Sequence, residues 1–309
     1  MNATHAAPEL VVLGSLNMDL VAQAERLPAA GETVAGRTLL TLPGGKGANQ
    51  ALAAARDGVH VALWGHVGDD AFGTTLRAQL LAEAVDTSAL GQATGPSGVA
   101  LIVVADDGHN QITVVPGANA ATDLPYVQRC LVQRGAPPLI VAQLEVPVDA
   151  VLHAFAGVRA AGGVTLLNPS PLNAWRDDLL AHTDVLIVNQ HEVAWLGERL
   201  GHPLADAVRP GGLQALVISL GGDGLRVVLP DTELRLGGHA VDVVDTVGAG
   251  DCLAGVLAAR LAQTPRPWGA EAWRAAACAA NAAAALSVTR VGAQTAPTRA
   301  ETEACLARR

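Results

Sequence analysis

Short apolar runs of strand length alternate with helical patterns along most of this chain. Leu10–Leu13, Val59–Trp64, Leu139–Gln143, Val164–Leu167, Val185–Val188 and Leu216–Ser219 are short and rich in β-branched residues. Between them, Ala48–Arg56, Ala71–Ala84, Val148–Ala161 and Val193–Leu200 carry helical spacing. The alternation predicts βαβ units and an α/β fold: a mostly parallel sheet with helices on both faces. Two stretches break the rhythm. Residues 21–42 have no helical period and read as extended pieces around Pro28 and Gly31. Residues 98–115 read as two strands, Val99–Val104 and Gln111–Val115, joined by a turn at Asp106-Asp107-Gly108. Together, residues 20–43 and 97–116 predict a small antiparallel sheet outside the main one. It is either an edge elaboration or a lid that keeps water from a pocket. Helical patterns return at Ala249–Leu261 and Glu271–Val288. No repeat or linker divides the chain, so residues 1–309 read as one domain.

Composition narrows the function. Half of the 309 residues are hydrophobic, enough for a large core. The net charge is -9 and no Lys/Arg run occurs, which argues against a nucleic-acid groove. An acidic chain can still hold a nucleotide locally, with backbone N–H groups and a metal. Cys130, Cys252, Cys278 and Cys305 form no CxxC pair and read as small residues in a reducing compartment. Met1–Pro8 lacks the pattern of a signal peptide, and the apolar run Ala275–Val288 is too short to span a bilayer. No membrane partner and a cytoplasmic location are therefore expected. Against nineteen arginines there is a single lysine, Lys46. It is either a chance survivor or a site that needs a compact ammonium rather than a planar fork.

The sharpest motif is Asp245-Thr-Val-Gly-Ala-Gly-Asp251, which opens a helix. Gly248, Ala249 and Gly250 can present N–H groups at the positive helix end, an anion hole for phosphoryl charge. Asp251 then stands beside it, able to take a proton from a hydroxyl. An Asp in a first helical turn also merely steadies the helix dipole, and the motif leaves both readings open. Gly44-Gly45-Lys46-Gly47-Ala48-Asn49 is a second glycine turn before a helix. It is not a Walker loop, because the lysine comes too early and no Ser/Thr follows. It suits a hydroxyl-rich ligand, with Lys46 and Asn49 as arms. Asn17 and Asp19, then Glu145, then Asn189 and Glu192, all follow apolar strands, where open α/β sheets bind ligands. Asn189 and Glu192 equally fit an N-cap with its capping-box partner. The turn Ser219-Leu220-Gly221-Gly222-Asp223-Gly224 serves phosphates or is simply a hairpin.

These pieces resemble the ribokinase/PfkB carbohydrate kinase family over nearly the whole chain. Pro43-Gly-Gly-Lys-Gly-Ala-Asn-Gln-Ala51 is similar to its N-terminal signature, and Asp245–Asp251 to its C-terminal one. Within the family, Gly44–Gln50 and Pro116-Gly-Ala-Asn-Ala-Ala121 are similar to the ribose kinases. The resemblance implies a three-layer sandwich with a β-lid that also makes a homodimer contact. It implies transfer of phosphate from ATP to the 5-hydroxyl of D-ribose, giving D-ribose 5-phosphate and ADP. Asn17, Met18, Asp19, Gly45, Lys46, Gly47, Ala48, Asn49 and Glu145 would hold the ribose, and Asp251 would deprotonate it. Asn189, the Ser219–Gly224 turn, Gly250 and Asn281 would face ATP, and Glu192 would help place Mg²⁺. A monovalent cation, usually K⁺, would lie against Asp245, Val247, Ser287, Arg290, Gly292 and Ala296, although Ala296 lacks the hydroxyl often found there. A nucleoside kinase would need lid aromatics to stack on a base, and residues 20–43 and 97–116 hold none. A sugar sensor that had lost catalysis should have lost Asp251 or a glycine beside it, and all are intact.

Overall fold

A computed structural model describes residues 9–308; the leader expectation for Met1–Pro8 falls outside them. Eight strands form one sheet. Their order is Glu233–Leu236, Leu225–Val228, Ala215–Ser219, Val185–Asn189, Val164–Leu167, Leu139–Ala142, Leu10–Leu13 and Val61–Trp64. From Ala215–Ser219 onward every neighbouring pair is parallel; the first two strands close that edge as antiparallel hairpins. The six parallel strands bury both faces, which is why they read as continuous apolar runs. Val12, Val141, Leu166 and Ile187 pack under one helical layer, with helices Lys46–Arg56, Ala249–Ala262 and Ala270–Ser287. Leu13, Ala142, Leu167 and Val188 pack under the other, with Leu124–Arg134, Val148–Ala160 and Gln190–Leu200. The result is the expected three-layer arrangement.

The lid differs in two respects from the expectation. Its strand order is Gly36–Gly44, Asn17–Ala24, Gly98–Ala105, Asn110–Val115. Asn17–Ala24 and Gly98–Ala105 pair in parallel along their whole length, so the sheet is mixed rather than antiparallel. The chain between them enters the main sheet at Val61–Trp64 and forms helix Ala71–Ala82 before returning. Parallel pairing needs a crossover of this kind and cannot be made by a hairpin turn. The lid also starts at Asn17, which puts Asn17 and Asp19 at its base.

Helix starts shift because of local caps. The helix expected from Ala48 starts at Lys46, since Gly45 leaves it at φ +90°. The one expected from Val193 starts at Gln190, capped by Asn189. Helices Leu124–Arg134 and Arg299–Leu306 had no assignment from periodicity, yet Asp123 and Thr298 cap them. Among the described residues no helix is long and apolar enough to cross a membrane.

Candidate active site

The two glycine-rich motifs meet at the carboxyl ends of the parallel strands. Gly45 lies against the Leu16–Asn17 backbone: a Cβ there would stand 2.6 Å from the Asn17 nitrogen. Positive φ and this close approach both demand glycine. The loop is thereby pressed onto the segment that carries Asn17 and Asp19. Glu145, after strand Leu139–Ala142, accepts from Ser15 Oγ at 2.5 Å and faces Asn17 Nδ2 at 3.5 Å and the Lys46 backbone N–H at 3.4 Å. Asn119 orients Asn17: its Nδ2 donates to Asn17 Oδ1 at 2.8 Å, and its Oδ1 accepts from the Leu16 N–H at 2.8 Å. Met18 and Ala48 are buried core side chains, so only their backbones could face a ligand.

Asp251 lies in the first turn of helix Ala249–Ala262, which starts after Gly248 at φ +79°. Its Oδ2 accepts from Asn49 Nδ2 at 3.0 Å and its Oδ1 from Gln50 Nε2 at 2.9 Å. Residues 201 and 202 positions apart in sequence therefore hold one carboxylate. The Ala249 N–H already donates to Thr246 O at 3.3 Å. The later amides of the turn are the ones a helix leaves free.

A polar cleft of about 230 Å³ joins the two motifs, lined by Lys46, Asn189, Glu192, Ser219, Gly250 and Asp251. Asn189 and Glu192 form a full capping box: the Asn189 N–H donates to Glu192 Oε2 and the Glu192 N–H to Asn189 Oδ1, both at 2.8 Å. The cap and a place on the cleft wall are thus compatible. Beside it opens a cavity of about 460 Å³, lined by Ser219, Gly221, Gly222, Gly224, Gly250 and Asn281 with Val243, Ala284 and Val288. Leu220 and Asp223 do not line it. His239, Val241 and Val243 do, and nothing in their spacing marks them; Thr246, from the Asp245–Asp251 motif, lines it as well. A larger groove, about 840 Å³, lies at the opposite end of the sheet between Arg209, Asp231, Arg266 and Trp273; neither signature reaches it.

The loops expected to hold a monovalent cation are tied together by Asp245. Its carboxylate accepts from the Val247 N–H at 3.0 Å and the Gly292 N–H at 2.9 Å. Thr295 Oγ1 donates to the carbonyls of Ser287 and Gly292. The Ala296 carbonyl accepts from the Arg56 guanidinium at 2.8 Å, so it does not fit a second cation.

Charge in the site is unbalanced. Burial, then the nearby Glu145 and Asp251 carboxylates, raise the Asp19 pKa to about 7, with Lys46 only partly offsetting them. Burial also raises Glu192. Lys46 loses hydration by burial, yet the carboxylates of Asp251, Glu145, Glu192 and Asp19 outweigh this and hold it above the usual lysine range.

The pfkB family carbohydrate kinase model matches residues 7–300. The chain belongs to the pfkB family of carbohydrate kinases. Similar members of this carbohydrate kinase family include the ribokinase of Bacillus subtilis, 38% identical over 96% of this chain and 99% of that protein. A deoxyribokinase of Salmonella typhi is 31% identical over 81% of this chain and 84% of its own length. The structure of Arabidopsis thaliana ribokinase complexed with ribose and ATP superposes with a TM-score of 0.82, at 28% identity, covering 97% of this chain and 99% of that one. The fold of this pfkB kinase is therefore ribokinase-like.

The raised Asp19 gives a pH signature. Its folded pKa of about 7 lies above the ordinary carboxylate value. Stability from this group is full below the unfolded pKa and is lost as pH rises through about 7. Asp19→Asn cannot ionise. Relative to wild type it should gain stability as pH rises from about 4 to 8, by at most about 4 kcal/mol. Denaturant midpoints of both proteins across that range check this; parallel curves would place Asp19 in water.

Proposed function

We propose that this kinase transfers the γ-phosphoryl group of ATP to the 5-hydroxyl of D-ribose, giving D-ribose 5-phosphate and ADP. One observation carries the reading: the Asp251 carboxylate stands on the polar cleft that joins the Asn17–Lys46–Glu145 corner to the uncharged cavity. Asn17, Asp19, Asn49, Glu145 and the Gly45–Ala48 backbone bind the sugar hydroxyls. Asp251 accepts the 5-hydroxyl proton as the oxygen attacks phosphorus. The Gly248–Gly250 turn and the helix dipole take up charge on the transferred group. Lys46 adds a compact cation beside the same cleft. The larger cavity accepts the nucleotide, with Gly221, Gly222 and Gly224 by the phosphates and Asn281 near the base.

Glu192 and Asn189 fit a site for Mg²⁺. Glu192 is a buried carboxylate raised by its surroundings, and a divalent cation often needs only one or two carboxylates besides phosphate oxygens. Bound Mg²⁺ supplies charge neutralisation at the phosphates.

The related deoxyribokinase supports a second reading, in which the preferred sugar lacks the 2-hydroxyl. ADP release with ribose, 2-deoxyribose, hexoses and adenosine separates these. Ribose should give the highest kcat/KM. Adenosine above ribose would overturn the sugar assignment, and 2-deoxyribose above ribose would move it to the second reading.

The reading extends to K⁺ at the backbone carbonyls of Asp245, Val247, Ser287, Arg290 and Gly292, with Ala296 left out. The Asp245 carboxylate already ties these loops beside the Gly248 turn. Activity should rise when K⁺ replaces Na⁺ at constant ionic strength; a flat response would remove the cation.

It extends also to a homodimer in the cytoplasm. The lid carries exposed apolar side chains on both faces: Leu39 (67% exposed) and Leu101 on one, Ile112 (53% exposed) and Val114 on the other. A projecting sheet of that kind needs cover. Wild type should sediment as a dimer and Ile112→Asp as a monomer. A monomeric wild type at micromolar concentration would sink the dimer.

A further inference from the structure

Two buried glutamines lie behind Asp251, and the reaction as described uses neither. Gln50 follows Asn49 on helix Lys46–Arg56, and Gln143 follows strand Leu139–Ala142; both are 0% exposed. Gln143 Nε2 donates to Gln50 Oε1 at 2.5 Å, and Gln50 Nε2 donates to Asp251 Oδ1 at 2.9 Å. We propose that Gln50 and Gln143 are positioning residues, a directional amide relay that fixes the rotation of the Asp251 carboxylate. The proposal rests on the reading of Asp251 as the base.

The direction of the relay follows from chemistry. An ionised carboxylate only accepts hydrogen bonds, so Gln50 must turn its NH₂ toward Asp251. Its oxygen then faces Gln143, which must present NH₂ in turn. If Gln50 flipped, its oxygen would face a carboxylate oxygen. The hydrogen bond from Gln143 opposes that flip. Asn49 holds the other oxygen of Asp251 at 3.0 Å. One donor on each oxygen stops the carboxylate turning about its Cβ–Cγ bond. Lone pairs on both oxygens remain free for a substrate hydroxyl.

Packing alone does not account for Gln143. Its Oε1 is buried without a hydrogen-bond partner among the described residues. A core position chosen only for volume would carry Leu or Met there, because an unsatisfied buried acceptor is unfavourable. Gly14 makes the room: a Cβ on Gly14 would stand 2.0 Å from Gln143 Oε1. The chain thus keeps a bare glycine and an unsatisfied oxygen where a hydrocarbon would fit, and what it retains is the N–H aimed at Gln50.

The test uses Gln50→Met, Gln143→Met and the double variant, with Asp251→Asn as reference. Methionine keeps the volume and removes the amide. The sugar that turns over fastest in wild type is the substrate, and kcat, KM and Tm are read on the same preparations. Gln50→Met should lose kcat by about 10–100-fold, the scale of a misplaced reacting group, with KM for the sugar unchanged. Gln143→Met should lose less, in the same parameter. The double variant should be no slower than Gln50→Met, because Gln143 acts through Gln50. Asp251→Asn should lose about 10²–10⁴-fold; if it does not, the base reading itself fails. If it does, near-normal kcat in Gln50→Met, losses confined to KM, or additive losses in the double variant overturn the relay alone. Should Gln50→Met not fold, Gln143→Met decides, since it does not touch Asp251: lower kcat at normal KM and Tm supports the relay, and wild-type kcat refutes it.

Discussion

The site depends on how closely two helices cross. Lys46–Arg56 and Ala249–Ala262 pack in the same layer, and at their contact Gly255 faces the backbone of Gln50. A Cβ on Gly255 would stand 2.3 Å from the Gln50 carbonyl oxygen and 2.8 Å from Ala53 Cβ. Only hydrogen fits. The neighbours are small as well: Ala51 and Ala54 on one helix, Ala254 and Ala258 on the other, all buried. Small faces let helix axes approach, and the approach brings the first turns of both helices together. Asn49 and Gln50 can then reach Asp251 with ordinary side-chain lengths. With larger residues at the crossing, the two motifs would separate and their hydrogen bonds would break. The alanines along this crossing thus meet a geometric requirement.

Much of the main sheet was legible because each buried parallel strand carries its own signal, a continuous β-branched run between turn residues. The candidate site positions were legible for a related reason: polar residues at or just after the ends of such runs, as at Glu145 and Asn189, mark strand ends. The parallel pairing inside the lid was not legible. Asn17–Ala24 and Gly98–Ala105 carry no local mark of which neighbour they choose, and a turn motif announces only hairpins. Helix Arg299–Leu306 was readable from its capping box rather than its period. The contact of Gln50 with Asp251 was not legible, since one sequence shows that two amides are adjacent and not which carboxylate one of them meets. The segment from His239 to Val243 was invisible for a different reason. It lines the larger cavity as irregular chain, without periodicity or turn signature.

Charge is arranged by side. Asp19, Glu145, Glu192 and Asp251 all act on the single ammonium of Lys46. They stand on the glycine-loop side or at the junction. The larger cavity has no Asp, Glu, Lys or Arg in its lining. A polyphosphate placed among four carboxylates would be repelled by each of them. In the uncharged cavity it meets glycine backbone and the first turn of helix Ala249–Ala262, whose N-terminus carries about half a positive charge. A neutral sugar has no such difficulty with carboxylates; its hydroxyls donate to them. The two environments therefore suit different ligand charges, and the cleft where Lys46 and Asp251 sit together shares Ser219, Gly250 and Leu253 with the larger cavity. An acidic chain can bind an anion under these conditions without a basic patch, because the favourable field is local and comes from backbone dipoles. The same separation makes Lys46 more than a charge. As the sole side-chain cation on that wall, it is held protonated by Asp251 and Glu192 of the same cleft and by Glu145 and Asp19 beside the glycine loop. A planar guanidinium, with its broader hydrogen-bonding fork, would have to displace the glycine loop to occupy that place.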